Sequence, residues 1–174
     1  MRDRTKIVET LAAQRIELEA HYRAMTAEAL IMPCTDSEHP DGDRWTPKDH
    51  LAHLLRVEHT FLALAQRTIE GDAAPLRFAG KSREEAIAGV HRDNEVHITT
   101  YRSVPLESLL SEHTEARSAT LAFIAGLTDD QLDTPIPGAP WSDGTIGGVL
   151  AANAGHERQH TVWADEGLAA TREG

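Results

Sequence analysis

Large apolar residues recur at close to helical spacing through each long segment of this chain, and that spacing limits it to helices. The clearest run lies between residues 5 and 32, where charged residues occupy the opposite face. Its apolar positions are Ile7, Leu11, Leu18, Met25 and Leu30. No segment of the sequence alternates polar and apolar residues as a strand does, and no repeat at solenoid periods occurs. The pattern predicts an all-α protein.

Capping residues indicate where these helices begin. Thr46 is the expected N-cap of the second helix, with Pro47 at its first position and Asp49 placed to complete a capping box. Ser82 and Glu85 can form a second capping box. Proline and glycine mark the ends. We expect helices over residues 5–32, 46–71, 82–104, 106–127 and about 145–166, with irregular loops over 33–43 and 128–144.

Four of these helices are long enough to bury an apolar face against one another. The sequence therefore predicts an antiparallel four-helix bundle with an extra helical segment between the second and third main helices. A chain of 174 residues matches the length of one domain, so we expect a single domain over residues 1–174.

Charge and cysteine content exclude several classes of protein. The chain has 28 acidic and 17 basic residues and a formal net charge of −11, so nucleic acid is not an expected partner. Its one cysteine, Cys34, allows neither an internal disulfide nor a multi-cysteine metal site. No apolar run reaches a membrane span and no signal-peptide core follows the start. We expect a cytoplasmic protein that acts on a small molecule, without membrane partners.

Ten histidines are many for a chain of this length, and two of them have the spacing of metal ligands. His156 and His160 are four residues apart in the last predicted helix, so both imidazoles project from one face and can reach one ion. Asn153 and Trp163 continue the same stripe. A metal site needs a further donor from another helix. The alternative is a buried polar pair that is satisfied by hydrogen bonds.

His53 is the candidate third donor, because it lies among leucines in the second helix. His50, in the first turn, and His59 are less favourable positions for an inward-facing ring. Asp49, four residues before His53, or a backbone carbonyl could orient the His53 ring. Glu157 is not expected to bind the ion, since one residue rotates a helical side chain by about 100°; we expect it to face solvent or a neighbour.

Three further residues are candidates for substrate binding: Arg117, Asn153 and Trp163. Arg117 falls beside the apolar stripe of its helix, so its guanidinium could point inward and bind a carboxylate of a substrate or thiol. A snorkelling side chain or an internal salt bridge is the alternative for Arg117.

The segments Trp45-Thr46-Pro47-Lys48-Asp49-His50-Leu51-Ala52-His53-Leu54 and His156-Glu157-Arg158-Gln159-His160 resemble the DinB-like metalloprotein superfamily, as does the segment over residues 117–132. The resemblance implies a four-helix bundle in which His53, His156 and His160 hold a divalent metal ion. It also implies a possible homodimer. The family includes thiol-dependent S-transferases and the mycothiol-dependent maleylpyruvate isomerase. That isomerase branch has a carboxylate where this chain has His156.

The expected function rests on that donor set together with the resemblance. Three neutral imidazoles leave the full charge on the ion and open positions around it, so the pKa of a bound thiol or water would fall. We expect zinc or nickel, although three nitrogens accept several ions. The predicted activity is transfer of an external thiol, such as mycothiol or bacillithiol, to a small electrophile, or isomerisation of that electrophile. Metal-hydroxide hydrolysis and non-catalytic metal binding in a stress response are the alternatives.

Overall fold

A computed structural model describes residues 3–72, 80–136 and 142–173, and this part of the chain is helical without strands. Two isolated bridges, Thr35 with Trp45 and Pro135 with Thr145, close loops. No described helix is both long and apolar enough to cross a membrane. The helices are α1 (Arg4–Ala24), α2 (Ala27–Ile31), α3 (Pro47–Ile69), α4 (Arg83–Tyr101), α5 (Leu106–Gly126), α6 (Asp129–Leu132) and α7 (Ile146–Glu173).

Helices α1, α3, α5 and α7 form a bundle, and α4 packs on α3 as the extra segment. The prediction of an all-α bundle with a segment between the second and third main helices is confirmed. That segment also sets the helix directions. Because α4 carries the chain back along the bundle, α3 and α5 run parallel. Antiparallel packing holds for α1 with α5 and for α3 with α7.

The predicted helix starts at Thr46 and Ser82 are confirmed. At both, the N-cap hydroxyl accepts a hydrogen bond from the amide three residues on, and the acidic side chain at that position accepts one from the cap amide. Gly71 has a φ of +75°, a left-handed conformation that suits the end of α3. The glycine- and proline-bearing connection after it, over residues 73–79, lies outside the described residues.

The single helix predicted over residues 5–32 is wrong. Met25 is extended, with a ψ of 145°, and ends α1. Thr26 then caps α2, because its hydroxyl accepts a hydrogen bond from the amide of Ala29 at 3.1 Å. A hydroxyl that accepts a hydrogen bond from a free helix amide favours the start of a new helix at Thr26 over the continuation of α1. The apolar period continues across the break, so periodicity alone does not reveal it.

The last third of the chain contains two further differences. The loop predicted over residues 128–144 includes a short helix, α6, which Thr128 and Gln131 open with a capping box. Residues 137–141 of that loop lie outside the described residues. The last helix extends to Glu173, whereas the sequence predicted an end near residue 166.

The buried apolar side chains form two main clusters along the bundle, separated by a layer of charge. One cluster includes Leu11, Phe61 and Ile124, and the other includes Leu18 and Leu55. Each of the four main helices contributes one charged residue to this layer, and each of these residues is at most 5% exposed: Arg15, Glu58, Arg117 and Glu157. These four residues, called the ion layer below, lie beside the histidines described next.

Candidate metal centre

Three histidines converge between α3 and α7. His53 comes from α3, and His156 and His160 come from α7. Their candidate ligand nitrogens all lie within 4.8 Å of one another. The ring centroids are 5.2 Å apart for His53 and His156, 4.6 Å for His53 and His160, and 4.5 Å for His156 and His160. The structure thus brings together the three residues that the sequence and the resemblance singled out.

Several nitrogens of this cluster have no hydrogen-bond partner within the described residues. Both ring nitrogens of His53 and Nδ1 of His156 are buried and unpartnered. His53 is 3% exposed and His160 is 1% exposed. A buried nitrogen without a partner costs free energy, and such groups are rare in folded proteins. A cation between the rings would use these lone pairs, so the three residues fit a metal ion.

Burial also keeps these rings in the form that binds metals. It lowers the pKa of His156 to about 4. Burial, with the neighbouring imidazoles adding to the effect, lowers the pKa values of His53 and His160 well below the ordinary histidine value. All three rings are therefore neutral at pH 7, and neutral imidazole is the ligand form.

A fourth histidine, His50, contacts the cluster from behind. Its Nδ1 lies 2.8 Å from Nδ1 of His160, and its Nε2 lies 2.9 Å from Oγ1 of Thr35. Because Nδ1 of His160 is engaged, Nε2 is the nitrogen of this ring that could bind a metal ion. The matching tautomers have Nδ1–H of His160 donating to His50, and Nε2–H of His50 donating to Thr35.

Sequence reasoning missed His50 in this role. The first-turn position argued against an inward-facing ring, yet His50 is 2% exposed. A usable signal was its spacing of three from His53, which places both rings on neighbouring positions of one helix. Thr35 lies in the loop before α3, and nothing in the sequence indicated that this loop returns to the site.

The expectation that Asp49 orients His53 is wrong. One carboxylate oxygen of Asp49 accepts a hydrogen bond from the amide of Thr46 at 2.9 Å. The other accepts one from Nε of Arg102 at 3.3 Å. The Asp49 carboxylate therefore completes the cap of α3. Its hydrogen bonds go to Thr46 and Arg102, and not to the His53 ring.

The ion layer holds α7 against the other three helices. Glu157 Oε1 accepts hydrogen bonds from Nη2 of Arg15 at 2.6 Å and from Nη2 of Arg117 at 2.7 Å. Glu58 Oε2 accepts from the same two groups, at 2.9 and 2.7 Å. Two positive and two negative charges balance in the interior, which is the condition for burying them. Glu157 therefore does not face solvent, and its position beside His156 ties the metal-site helix to this layer.

The three predicted substrate contacts have different surroundings. Arg117 forms the internal salt bridge that was its alternative: Nε and Nη2 donate to Glu58, and Nη1 donates to the carbonyl of Leu11 at 3.1 Å. Asn153 is 2% exposed, and its Nδ2 has no partner within the described residues. Trp163 is 41% exposed and meets His160 edge to face at 5.0 Å.

A cleft of about 350 Å³ opens beside the cluster. His50, His160 and Trp163 line it, so both the predicted ligand His160 and the histidine behind it border the space where a small molecule would bind. The other lining residues are Thr35, Asp36, Glu38, Trp45, Glu166 and Gly167.

Cys34 lies in the loop before α3 but is not a reactive thiol. It is 3% exposed, and its Sγ donates to the carbonyl of Trp45 at 3.3 Å. Burial raises the pKa of this thiol to about 11, so the nucleophilic thiolate is scarce at neutral pH. A thiol that reacts at this site must therefore come from outside the chain.

Comparison with known proteins supports the resemblance in the sequence. The family model described as DinB superfamily matches residues 37–164, which is about three quarters of the chain and includes all three clustered histidines. No curated protein matches the chain, and no solved structure does.

Proposed function

Because this chain belongs to the DinB superfamily, we propose that it is a metal-dependent enzyme with His53, His156 and His160 as ligands. In this proposal the ion, zinc or nickel, activates an external low-molecular-weight thiol for transfer to a small electrophile or for its isomerisation. The observation that carries the proposal is the cluster of neutral imidazoles with buried, unpartnered nitrogens beside an open cleft.

The chemistry that a bound ion would supply is a lower pKa for a thiol or water in its open positions. The chain's own groups provide the rest. Thr35 and His50 hold the tautomer in which Nε2 of His160 carries a lone pair. The ion layer fixes α7 relative to α3, and the cleft admits a ligand of drug-like size or smaller.

An external thiol is proposed because Cys34 is buried and protonated. Mycothiol and bacillithiol are the candidates that we propose, and a thiol panel distinguishes them. A homodimer and a cytoplasmic location also stay predictions, and light scattering and fractionation would test them.

The first experiment is elemental analysis of the purified protein and of three variants, His53→Ala, His156→Ala and His160→Ala. Each variant is expected to lose bound metal and to keep its helicity by circular dichroism. His59→Ala is the matched control, since His59 is exposed on the same helix as His53. A fourth variant combines all three substitutions, and full metal occupancy in it would overturn the proposed ligand set.

The second experiment measures turnover of a chlorinated nitrobenzene by the metal-loaded protein with a panel of thiols. Cys34→Ser is expected to keep full activity, because the nucleophile is external. Turnover of small esters without any thiol would favour the hydrolase instead. A protein that binds metal tightly and turns over neither class of substrate would favour non-catalytic binding.

A further inference from the structure

The charged residues that line the cleft all have the same sign. They are Asp36, Glu38 and Glu166, and neither lysine nor arginine is among the described lining residues. Two tryptophans, Trp45 and Trp163, complete the apolar part of the wall. The chain as a whole is acidic, but a wall with three carboxylates and two indoles has a specific chemical preference that net charge does not describe.

The three carboxylates are available to a ligand to different degrees. Glu166 is exposed and forms no ion pair or hydrogen bond within the described residues. The Asp36 side chain is 97% exposed and lies 3.6 Å from Nε of Arg44. Glu38 accepts a hydrogen bond from Nδ2 of Asn94 at 2.9 Å, which leaves its negative charge in place. The cleft therefore has a negative potential at its entrance.

The indole of Trp163 adds a second attraction of the same kind. It is 41% exposed and borders the cleft. The face of an indole attracts cations, most strongly where carboxylates are also near. An ammonium group, methylated or not, can contact the indole face and also form an ion pair with a carboxylate.

His160 marks the part of the cleft that lies next to the histidine cluster. This residue is 1% exposed and borders the cleft, and its Nδ1 lies 2.8 Å from Nδ1 of His50, which also lines the cleft. A ligand that enters the cleft therefore meets His50 and His160, of which His160 belongs to the histidine cluster, and it meets the carboxylates and Trp163 on the wall. All of these residues line one cleft of about 350 Å³.

We propose that this cleft selects ligands by charge: cationic small molecules bind best, uncharged ones less well, and anionic ones poorly. The proposal deepens the proposed function and rests on it, since it names the class of thiol or substrate that the site accepts. Among the candidate thiols, the uncharged sugar thiol mycothiol suits the cleft better than bacillithiol, which carries carboxylates.

The test uses the protein loaded with cobalt(II), in which a bound thiolate produces a charge-transfer absorption band. Three thiols of similar size are titrated: cysteamine, which is cationic, 2-mercaptoethanol, which is uncharged, and 3-mercaptopropionate, which is anionic. The double variant Asp36→Asn/Glu166→Gln removes two wall charges. Glu70→Gln is the control, because Glu70 is exposed and roughly 30 Å along α3 from His50.

The quantity compared between proteins is the ratio of Kd for 3-mercaptopropionate to Kd for cysteamine, so that intrinsic differences between the thiols cancel. We expect the double variant to lower this ratio about fivefold or more, and Glu70→Gln to leave it unchanged. Added salt should lower the wild-type ratio as well. An equal ratio in wild type and double variant would overturn charge selection but not the proposed thiol chemistry. Absence of the band with all three thiols would overturn the proposed thiol chemistry and charge selection with it.

Discussion

The Nδ1 atoms of His50 and His160 lie 2.8 Å apart, so one imidazole holds the other. His160 is in α7, and His50 is in the first turn of α3. The contact therefore links the two helices that supply the proposed metal ligands, and it directs Nε2 of His160 toward the cluster.

Replacement of His50 is expected to weaken metal binding without removing any ligand. In His50→Ala the ring of His160 loses its orienting partner, and loss of such a contact typically costs 10- to 100-fold in metal affinity, as a rough guide. Zinc affinity is measured by competition with a chromophoric chelator. His59→Ala should bind zinc like the wild type. An affinity for His50→Ala equal to that of the wild type would show that the contact does not orient His160.

Removal of one acid from the ion layer is expected to destabilise the whole bundle. In Glu58→Ala, two guanidinium groups share the single remaining carboxylate of Glu157, which leaves an uncompensated buried charge. The expected loss is about 3 to 5 kcal/mol in the free energy of unfolding, measured with urea.

The control for that measurement is Glu107→Ala. The Glu107 side chain is 70% exposed, and its ion pair with Arg23 lies at the surface, so the expected loss is less than about 1 kcal/mol. Similar losses for the two variants would show that the buried layer contributes no more than a surface pair.

A buried histidine away from the cluster is expected to make stability depend on pH. His113 accepts a hydrogen bond from Nη1 of Arg15 and donates from Nε2 to the carbonyl of Leu51, so its ring is neutral. Burial holds its pKa well below the ordinary value near 6.5. Above about pH 6.5, the ring is largely unprotonated in both the folded and the unfolded protein. As the pH falls below about 6.5, only the ring in the unfolded protein takes up a proton. The free energy of unfolding therefore falls by up to about 1.4 kcal/mol per pH unit.

His113→Gln is therefore expected to show a shallower decline of the free energy of unfolding between pH 6.5 and 5 than the wild type. Urea titrations of the metal-free protein at several pH values measure the slope. His59→Gln should keep the wild-type slope, since that side chain is exposed. A slope for His113→Gln as steep as that of the wild type would contradict the neutral, buried assignment.

A methyl group at Gly167 is expected to disturb the wall of the cleft. A Cβ there would stand 2.8 Å from the carbonyl carbon of Cys34 and closer still to its oxygen, so α7 or the loop must move. Gly167→Ala should lower the Tm, with a cost of about 1 to 3 kcal/mol from overpacking.

Gly155→Ala is the matched control in the same helix. A Cβ at Gly155 meets nothing within 4 Å, so the higher helix propensity of alanine should stabilise the protein by up to about 1 kcal/mol. The two variants should therefore shift the Tm in opposite directions in thermal melts. A shift of the same sign for both would indicate that the contact with Cys34 does not limit the position of α7.

Local signals in the sequence determined most of the fold. Thr46 and Ser82 open α3 and α4 as predicted, because a capping box is made by residues within four positions of one another. The pairing of His156 with His160 is equally local, since helical geometry alone places them on one face. The break at Met25 and Thr26 was missed because two local signals conflict there, and the cap hydrogen bond outweighs the apolar period.

The identity of the third clustered histidine was also within reach, because His53 lies on the inward face of a well-marked helix and the resemblance implied it. The contact partners of these residues could not be predicted from the sequence. Whether His50 contacts His160, or Glu157 contacts Arg15, depends on the offset between helices that are distant in the chain.

The sequence by itself thus determined most of the helices, the extra segment and the face that carries the histidine pair. The tertiary structure decided how α4 makes α3 and α5 parallel, which charges neutralise one another in the ion layer, and which side chains line the cleft. The physical reason is range: caps and helical faces depend on neighbours in the chain, whereas ion pairs, ring contacts and clefts depend on how whole helices pack.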